Sequence, residues 1–344
     1  MTWSRNSRLL LTAAAVVIVV AGLKAAAEII GPLVLALSLT IVFHPLRLRL
    51  ERRFPSWAVS IVVLVAVYTL ILLLVLSLVV AVGRLAVLVP TYATQMDDYV
   101  QNVGDWLQDA GVGPEQVAAV TGSADVGRLV GAVTDLLSGL LGVLSNLFFI
   151  IALLLFLAFD SARVRELAAG AREDHGAFVD AMTSFARGTR SYLAVTAVFG
   201  LIVAVVDTGL LWALGIPAAF VWGVLAFVTN FIPNIGFVIG VVPPALIGLL
   251  EGGVDLMLVV IVTYSVVNVI IQSVIQPRFV GNAVGLSTTL TFVSLVFWAW
   301  VLGPLGALLA VPMSLFFKAV LVEMDPATRW MGPLVSGRPE GELP

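Results

Sequence analysis

The chain has 344 residues, 60% hydrophobic and 11% charged, with a formal net charge of −3 and a mean hydropathy of +1.10. That balance excludes an ordinary soluble domain, and with no basic block or aromatic-basic interleaving it gives no ground for a nucleic-acid partner. Zero cysteines exclude disulfides, thiolate nucleophiles and cysteine-ligated metals. Several apolar runs exceed the roughly eighteen residues that mark a membrane helix, so the predicted fold class is all-α: a polytopic integral membrane protein with about eight membrane segments.

In chain order, Leu9 to Phe43 is hydrophobic but interrupted by Lys24, Glu28, Gly31 and Pro32. Arginines at 5 and 8 precede it and others at 47, 49, 52 and 53 follow, so the positive-inside rule puts both ends in the cytoplasm. Residues 1–56 are read as an uncleaved membrane hairpin and a cytoplasmic loop, with Lys24 and Glu28 spaced to pair on one helical face.

Residues 57–159 read as two long helices. The first span, Trp57 to Gly83, continues as an amphipathic stripe through Leu85, Leu88, Tyr92, Met96, Tyr99, Val103 and Trp106, and a matching stripe returns from Val126 to Leu141. Between Arg84 and Ser138 stand two basic and seven acidic residues, as an outer loop should have. A projecting extracytoplasmic helical pair over about 84–138 is expected, its stripe packing on its mate and on other subunits. Residues 160–190 carry five arginines and five acids and form the main cytoplasmic, amphipathic insertion. His175 and His44 lack a second ligand at a fitting spacing, so no metal site is expected.

The span from Ser191 to Leu214 contains Asp207. A carboxylate at membrane depth is expensive and therefore a candidate for proton or sodium coupling; its place near the end of the run equally admits an interfacial group that snorkels. Gly215 to Leu250 is apolar but broken by Pro233, Gly236, Gly240, Pro243 and Pro244. Each proline removes a backbone donor, and in lipid a broken helix is tolerated only where protein or a wet cavity satisfies the loose groups. Asn230 and Asn234 flank the break, which is either a site for something polar or a packing kink whose asparagines bond neighbouring helices. Asn268, Gln272 and Gln276 follow at steps of four on one helical face, either bonding an adjacent helix or lining a path. Leu286 to Leu321 breaks again at Gly303, Pro304 and Gly306, with Pro312 beyond, a weak echo of Pro233, Gly236 and Pro243. Residues 191–322 thus hold two Pro/Gly-broken or re-entrant units, 215–250 and 286–321, ahead of a mobile polar tail at 323–344.

LGIPAAFVWGVLAFVTNFIPNIGFVIGVVPP and VNVIIQSVIQPRFVGNAVGLSTTLTFVSLVFWAWVLGPLGALLAVPMSLFFKAVL resemble the two signature regions of the autoinducer-2 exporter family, the PerM-like permeases. The match rests on the IPNIG core, the QPRFVGNAVGLS run and the GPLGALLAVP run together. Ile232, Pro233, Asn234 and Gly236 fit the first signature; Gln276, Pro277, Gly281, Gly285 and Leu286 fit the second. The chain departs from many members at Phe237 and Thr288, and Asp207 is not carried over as a family residue.

The resemblance implies a multi-pass bacterial inner-membrane protein, homo-oligomeric and in some members pentameric, that exports a small polar solute such as an autoinducer-2-like signalling molecule. A sodium/proton antiporter and a non-transporting envelope scaffold are the alternatives. Asn230, Pro233, Asn234, Gly236, Asn268, Gln272 and Gln276 are the expected solute site and Asp207 the coupling candidate. No HExxH, Ser-His constellation, Walker loop or pair of intramembrane aspartates is present, so no enzyme and no cofactor are expected.

The topology is testable because the native chain has no cysteine. A Glu115→Cys variant should be labelled by a membrane-impermeant maleimide added outside intact cells; labelling only in inverted vesicles would contradict it.

Overall fold

The computed structural model describes residues 4–91, 93–121, 126–233, 235–276, 285–325 and 327–337. Among them every regular element is helical: α1 (Arg5–Ala25), α2 (Ala27–Glu51), α3 (Ser56–Thr91), α4 (Ala93–Asp109), α5 (Pro114–Thr121), α6 (Val126–Ala213), α7 (Ala219–Thr229), α8 (Gly236–Asn268), α9 (Thr288–Leu308), α10 (Ala310–Lys318) and the short α11 (Gly332–Ser336). A π-helical stretch, Val269–Ile275, continues α8, and another, Ala319–Glu323, continues α10. Among the described residues, five helical segments are long and apolar enough to cross a bilayer: Ala27–Glu51, Ser56–Arg84, Leu167–Ala213, Gly236–Gln272 and Thr288–Leu308. Leu10–Ala25, Asn146–Ala158 and Ala219–Thr229 are shorter apolar helices. This is the all-α polytopic membrane architecture that the hydropathy implies.

Length separates spanning helices from half-helices. At about 1.5 Å per residue, α3 runs about 54 Å, well past a hydrocarbon core of about 30 Å, so it projects beyond any bilayer it crosses. The eleven residues of α7 cover only about 16 Å, so α7 is too short to cross alone. The chain reaches α7 through a tight reversal in which Gly215 (φ +74°) and Ala218 (φ +59°) take left-handed conformations, and the Trp222 indole N–H donates to the Pro217 carbonyl at 2.9 Å. That reversal lays α7 back on α6.

Apolar packing holds the helices together in five clusters among the described residues, three of them central here. Ala36 of α2, Val67 of α3 and Leu147, Ile150 and Leu154 of α6 form one cluster. Leu211 of α6, Trp222 and Ala226 of α7 and Val241, Val260 and Tyr264 of α8 form a second. Leu295, Trp298 and Leu302 of α9 with Met313 of α10 form a third, against which Ile232 and Ile235 of the first break and Val34 of α2 pack. Between helices in lipid, close van der Waals contact replaces the hydrophobic drive, so small residues set the spacing. Gly223 is an example: a Cβ there would overlap the Thr208 hydroxyl and press on the Ala204 carbonyl of α6.

The two broken units share a device. At the first, a Cβ on Gly236 would overlap the carbonyl oxygen of Thr229; at the second, a Cβ on Gly306 would overlap that of Trp298. Each glycine lets the chain fold back on the arm before it, with Pro233 or Pro304 in the intervening turn. Gly303 (φ +67°) and, within α8, Gly253 (φ +73°) supply further backbone that side-chain-bearing residues seldom adopt.

Some local expectations are revised. Backbone bonds continue across Ala26, from its N–H to Gly22 and from Ile30 to its carbonyl, so α1 and α2 meet at a bend with no intervening loop. The Lys24 ammonium lies 4.0 Å from the centre of the Trp300 ring on α9, in place of the pair with Glu28 that their spacing offers. Residues 160–190 are helical on both sides of a break at His175 (φ −132°, ψ 40°), where two helices meet within α6. Arg172 and Asp180 pair at 2.6 Å across that point, a reach of eight residues that a straight helix would hold about 12 Å apart. Part of the tail is ordered, because Ser287 N–H donates to the Val335 carbonyl at 2.9 Å and Ser336 is buried.

Gly236→Ala and Gly306→Ala should each cost about 1–3 kcal/mol, read as a lowered thermal midpoint of the purified protein, since a carbonyl cannot swing aside as a side chain can. Gly209→Ala, with open space at its Cβ, serves as control. Equal midpoints for all three would remove the close-approach explanation.

Candidate functional site

The site is built where the first break meets α6 and the end of α8. Leaving α7, the chain makes a run of short turns, with Phe231 N–H to Val228 O at 3.2 Å, Ile232 N–H to Thr229 O at 2.8 Å and Ile235 N–H to Pro233 O at 2.7 Å. Phe231's carbonyl is met from α6 by the Tyr192 hydroxyl at 3.1 Å. Asn230 Nδ2 reaches the other way, donating to the Thr196 carbonyl of α6 at 3.1 Å. Gly200, one turn on, makes room: a Cβ there would press on Asn230 Nδ2. Two polar side chains, one from each partner, therefore tie the break to α6.

A chain of amides extends from this tie. Gln272 Nε2 donates to Asn230 Oδ1 at 2.9 Å and to Asn268 Oδ1 at 2.7 Å, and Asn268 Nδ2 donates to the Tyr264 carbonyl at 2.9 Å. Gln272 sits in the π-helical stretch after α8, where the wider turn displaces side chains from the α-helical register. Gln276, the third amide of the stripe, lies past that stretch and takes no part in these bonds. Pro233 is half-buried in the turn, Gly236 is buried at the start of α8, and Asn234 lies outside the described residues, as do Pro277 and Gly281.

Asp207 closes the far end. It is fully buried on α6, against Asn268 and the Tyr264 hydroxyl. Although these groups adjoin, neither carboxylate oxygen nor the Tyr264 hydroxyl attains hydrogen-bond geometry. The structure therefore brings Asn230, Asn268, Gln272 and Asp207 into one polar tract, half-buried at Asn230 and Gln272 and buried at Asn268 and Asp207. Along α6 it extends from Thr196 to Asp207, eleven residues or about 16 Å, half the thickness of a hydrocarbon core. Tyr192, Thr196 and Tyr264 also belong to it and were not among the expected residues. Tyr264 was within reach, since it precedes Asn268 by the same step of four; Tyr192 and Thr196 sit 34 to 39 residues from their partners, with no local signal.

A broken half-helix packed between longer spans, with a polar tract at its tip, is the construction of a multi-pass membrane transport protein. The comparisons agree: the model of the "AI-2E family transporter" matches residues 13–325, and the chain belongs to this family. It is 33% identical over 310 residues to AI-2 transport protein TqsA of Escherichia coli (strain K12), covering 89% of each chain. It is 30% identical over 345 residues to YhhT of the same organism, covering 98% of this chain and 96% of the relative.

The amide chain has a measurable energetic signature. Gln272→Leu strands the buried amide oxygen of Asn268 and the half-buried one of Asn230 and should lower stability by about 1–3 kcal/mol. Asn230→Leu with Gln272→Leu should cost less than the sum of the single changes, by about 0.5–3 kcal/mol. Strict additivity in chemical or thermal unfolding would mean that the bond contributes nothing.

Proposed function

We propose that this protein is a secondary transporter that exports a small, uncharged, hydroxyl-rich solute such as an autoinducer-2-like molecule across the bacterial inner membrane. Its solute site is the amide tract of Asn230, Asn268 and Gln272 at the first break, with Pro233 and Gly236 shaping the turn, Gln276 at the exit of the π-helical stretch, and Asn234, outside the described residues, as a further amide of the site. The observation that carries this reading is the double donation from Gln272 to Asn230 and Asn268 inside the helical core. Amides present both donors and acceptors without net charge, so they match hydroxyls and carbonyls of a solute at little desolvation cost, whereas an anion would call for cationic groups. The name of TqsA, a relative that spans nearly the whole chain, supports a solute of that kind.

Transport follows from the breaks. The half-helix α7 and the start of α8 are joined by turns held to α6 through two side-chain bonds, from Tyr192 and Asn230. A solute that engages Asn230 competes with those bonds and loosens the break on one side, while the packed arm of α8 remains in place. Asp207 is the group that couples this movement to a proton or sodium gradient, because a carboxylate buried without a bonded partner calls for a compensating cation. In the assembled state the chain is a homo-oligomer with both termini in the cytoplasm, its projecting helices α3, α4 and the start of α6 meeting those of neighbouring copies.

In proteoliposomes, Gln272→Ala and Asn230→Ala should raise the half-saturation concentration for autoinducer-2 by about five- to a hundredfold, the loss of one amide contact. Thr263→Ala, whose exposed hydroxyl bonds only its own helix, should leave it unchanged. Asp207→Asn should remove acceleration by an imposed gradient. Wild-type kinetics in both amide variants would refute the site.

A further inference from the structure

We propose that the groove between α1 and α9 binds an anionic phospholipid, with the headgroup phosphate at the Lys24 ammonium and an acyl chain laid along Val20, Val17 and Val16.

The groove has a volume of about 480 Å³; Val16, Val17, Val20 and Ala21 of α1 form one wall and Trp300 of α9 the other, and Lys24 is the only charged residue lining it. It opens away from the bundle, since Val17 is 67% exposed and Trp300 57%. The Trp300 wall is held in place: Phe297 backs it, ring centres 6.5 Å apart, and itself packs on the third apolar cluster.

Depth matches an amphiphile. Lys24 stands nineteen residues beyond Arg5, the first residue of α1, or about 28 Å along the helix axis. A hydrocarbon core is about 30 Å thick, so a helix that begins in one headgroup layer brings Lys24 to the opposite one. Val20, Val17 and Val16 then lie progressively deeper. The groove is polar where phosphates are and apolar where acyl chains are. An exposed tryptophan beside the lysine belongs at the same level, because an indole favours the boundary between chains and headgroups.

Charge names the headgroup. Lys24 Nζ lies 4.0 Å from the centre of the Trp300 ring, and among the described residues no carboxylate pairs with it. Glu28 has the spacing to do so, but it stands in the first turn of α2 and Lys24 in the last turn of α1, each at the helix end that favours its sign. A ring face attracts an ammonium without neutralising it. A headgroup with one net negative charge, such as that of phosphatidylglycerol, completes the neutralisation. A zwitterionic lipid brings its own ammonium and leaves the charge of Lys24 uncompensated. An apolar helix of a second copy would fill the groove and likewise supply no anion.

Native mass spectrometry of the purified full-length protein in detergent tests this, with phosphatidylglycerol or phosphatidylcholine of the same acyl chains added. The wild type should retain phosphatidylglycerol about fivefold more strongly, the worth of one lysine near an anionic headgroup. Lys24→Gln should bring the two lipids level. Ala21→Trp, which fills the groove from an exposed position on α1, should lower the retention of both. Arg52→Gln, at the exposed far end of α2, should leave the preference intact. Equal retention of the two lipids by the wild type, an unchanged preference in Lys24→Gln, or unchanged retention in Ala21→Trp would overturn the site. An equal loss in Arg52→Gln would reduce the preference to a general effect of positive charge and overturn it too. So would a Val17→Cys variant that cross-links copy to copy on oxidation while retaining no lipid, since the groove would then belong to a second copy.

Discussion

A backbone that leaves the helical path inside a bilayer must find partners for its free carbonyls and amides, and in this protein short turn bonds and the Tyr192 side chain of α6 provide them. The turns at 230–235 are held by the Tyr192 hydroxyl on the Phe231 carbonyl and by Asn230 reaching the Thr196 carbonyl, both on α6. An unmet group at that depth costs several kcal/mol, so the Tyr192 bond is a condition for the break to exist, while the Asn230 bond docks the break on α6. The remaining features depend on it. Because the chain can break there, α7 ends in the core, Asn230 is delivered to Gln272, and the amide tract forms.

Packing makes that geometry rigid. Gly223 and Gly200 let α7 and the break approach α6, and Gly236 lets α8 fold back on the Thr229 carbonyl. Trp222, Ile247, Val260 and Tyr264 fill the space between α6, α7 and α8. The second unit reproduces the fold-back at Gly306 but not the chemistry: its arms are joined by the Trp298 indole N–H donating to the Ser314 hydroxyl at 3.2 Å, inside an aromatic cluster. The two units therefore divide the work, one carrying amides and the other a packed apolar frame on which Ile232 and Ile235 rest.

Much of this was legible in the sequence, and the parts that were not have physical reasons. Composition gave the class, and Pro233 with Gly236 and Pro304 with Gly306 gave the breaks, because proline and glycine act on the backbone locally. The step of four brought Asn268 and Gln272 to one face. The same step did not predict that Gln276 leaves the tract, since the π-helical stretch changes the register and has no local sequence mark. Asp207 stood out as an acid in an apolar run, but its complete burial depends on α8 closing over α6. The pairing of Lys24 with Trp300 and the docking of the tail on Ser287 likewise join positions far apart in the chain. Tertiary contact alone decides them.

The central claim is that a solute occupies the break beside Asn230, and protection of a nearby thiol tests it most directly. In this cysteine-free chain, Phe231→Cys places one thiol at the break and Thr263→Cys places one on the exposed face of α8. The account predicts that saturating autoinducer-2 slows alkylation at position 231 and leaves the rate at 263 unchanged. Alkylation at 231 that proceeds equally fast with and without the solute would contradict it.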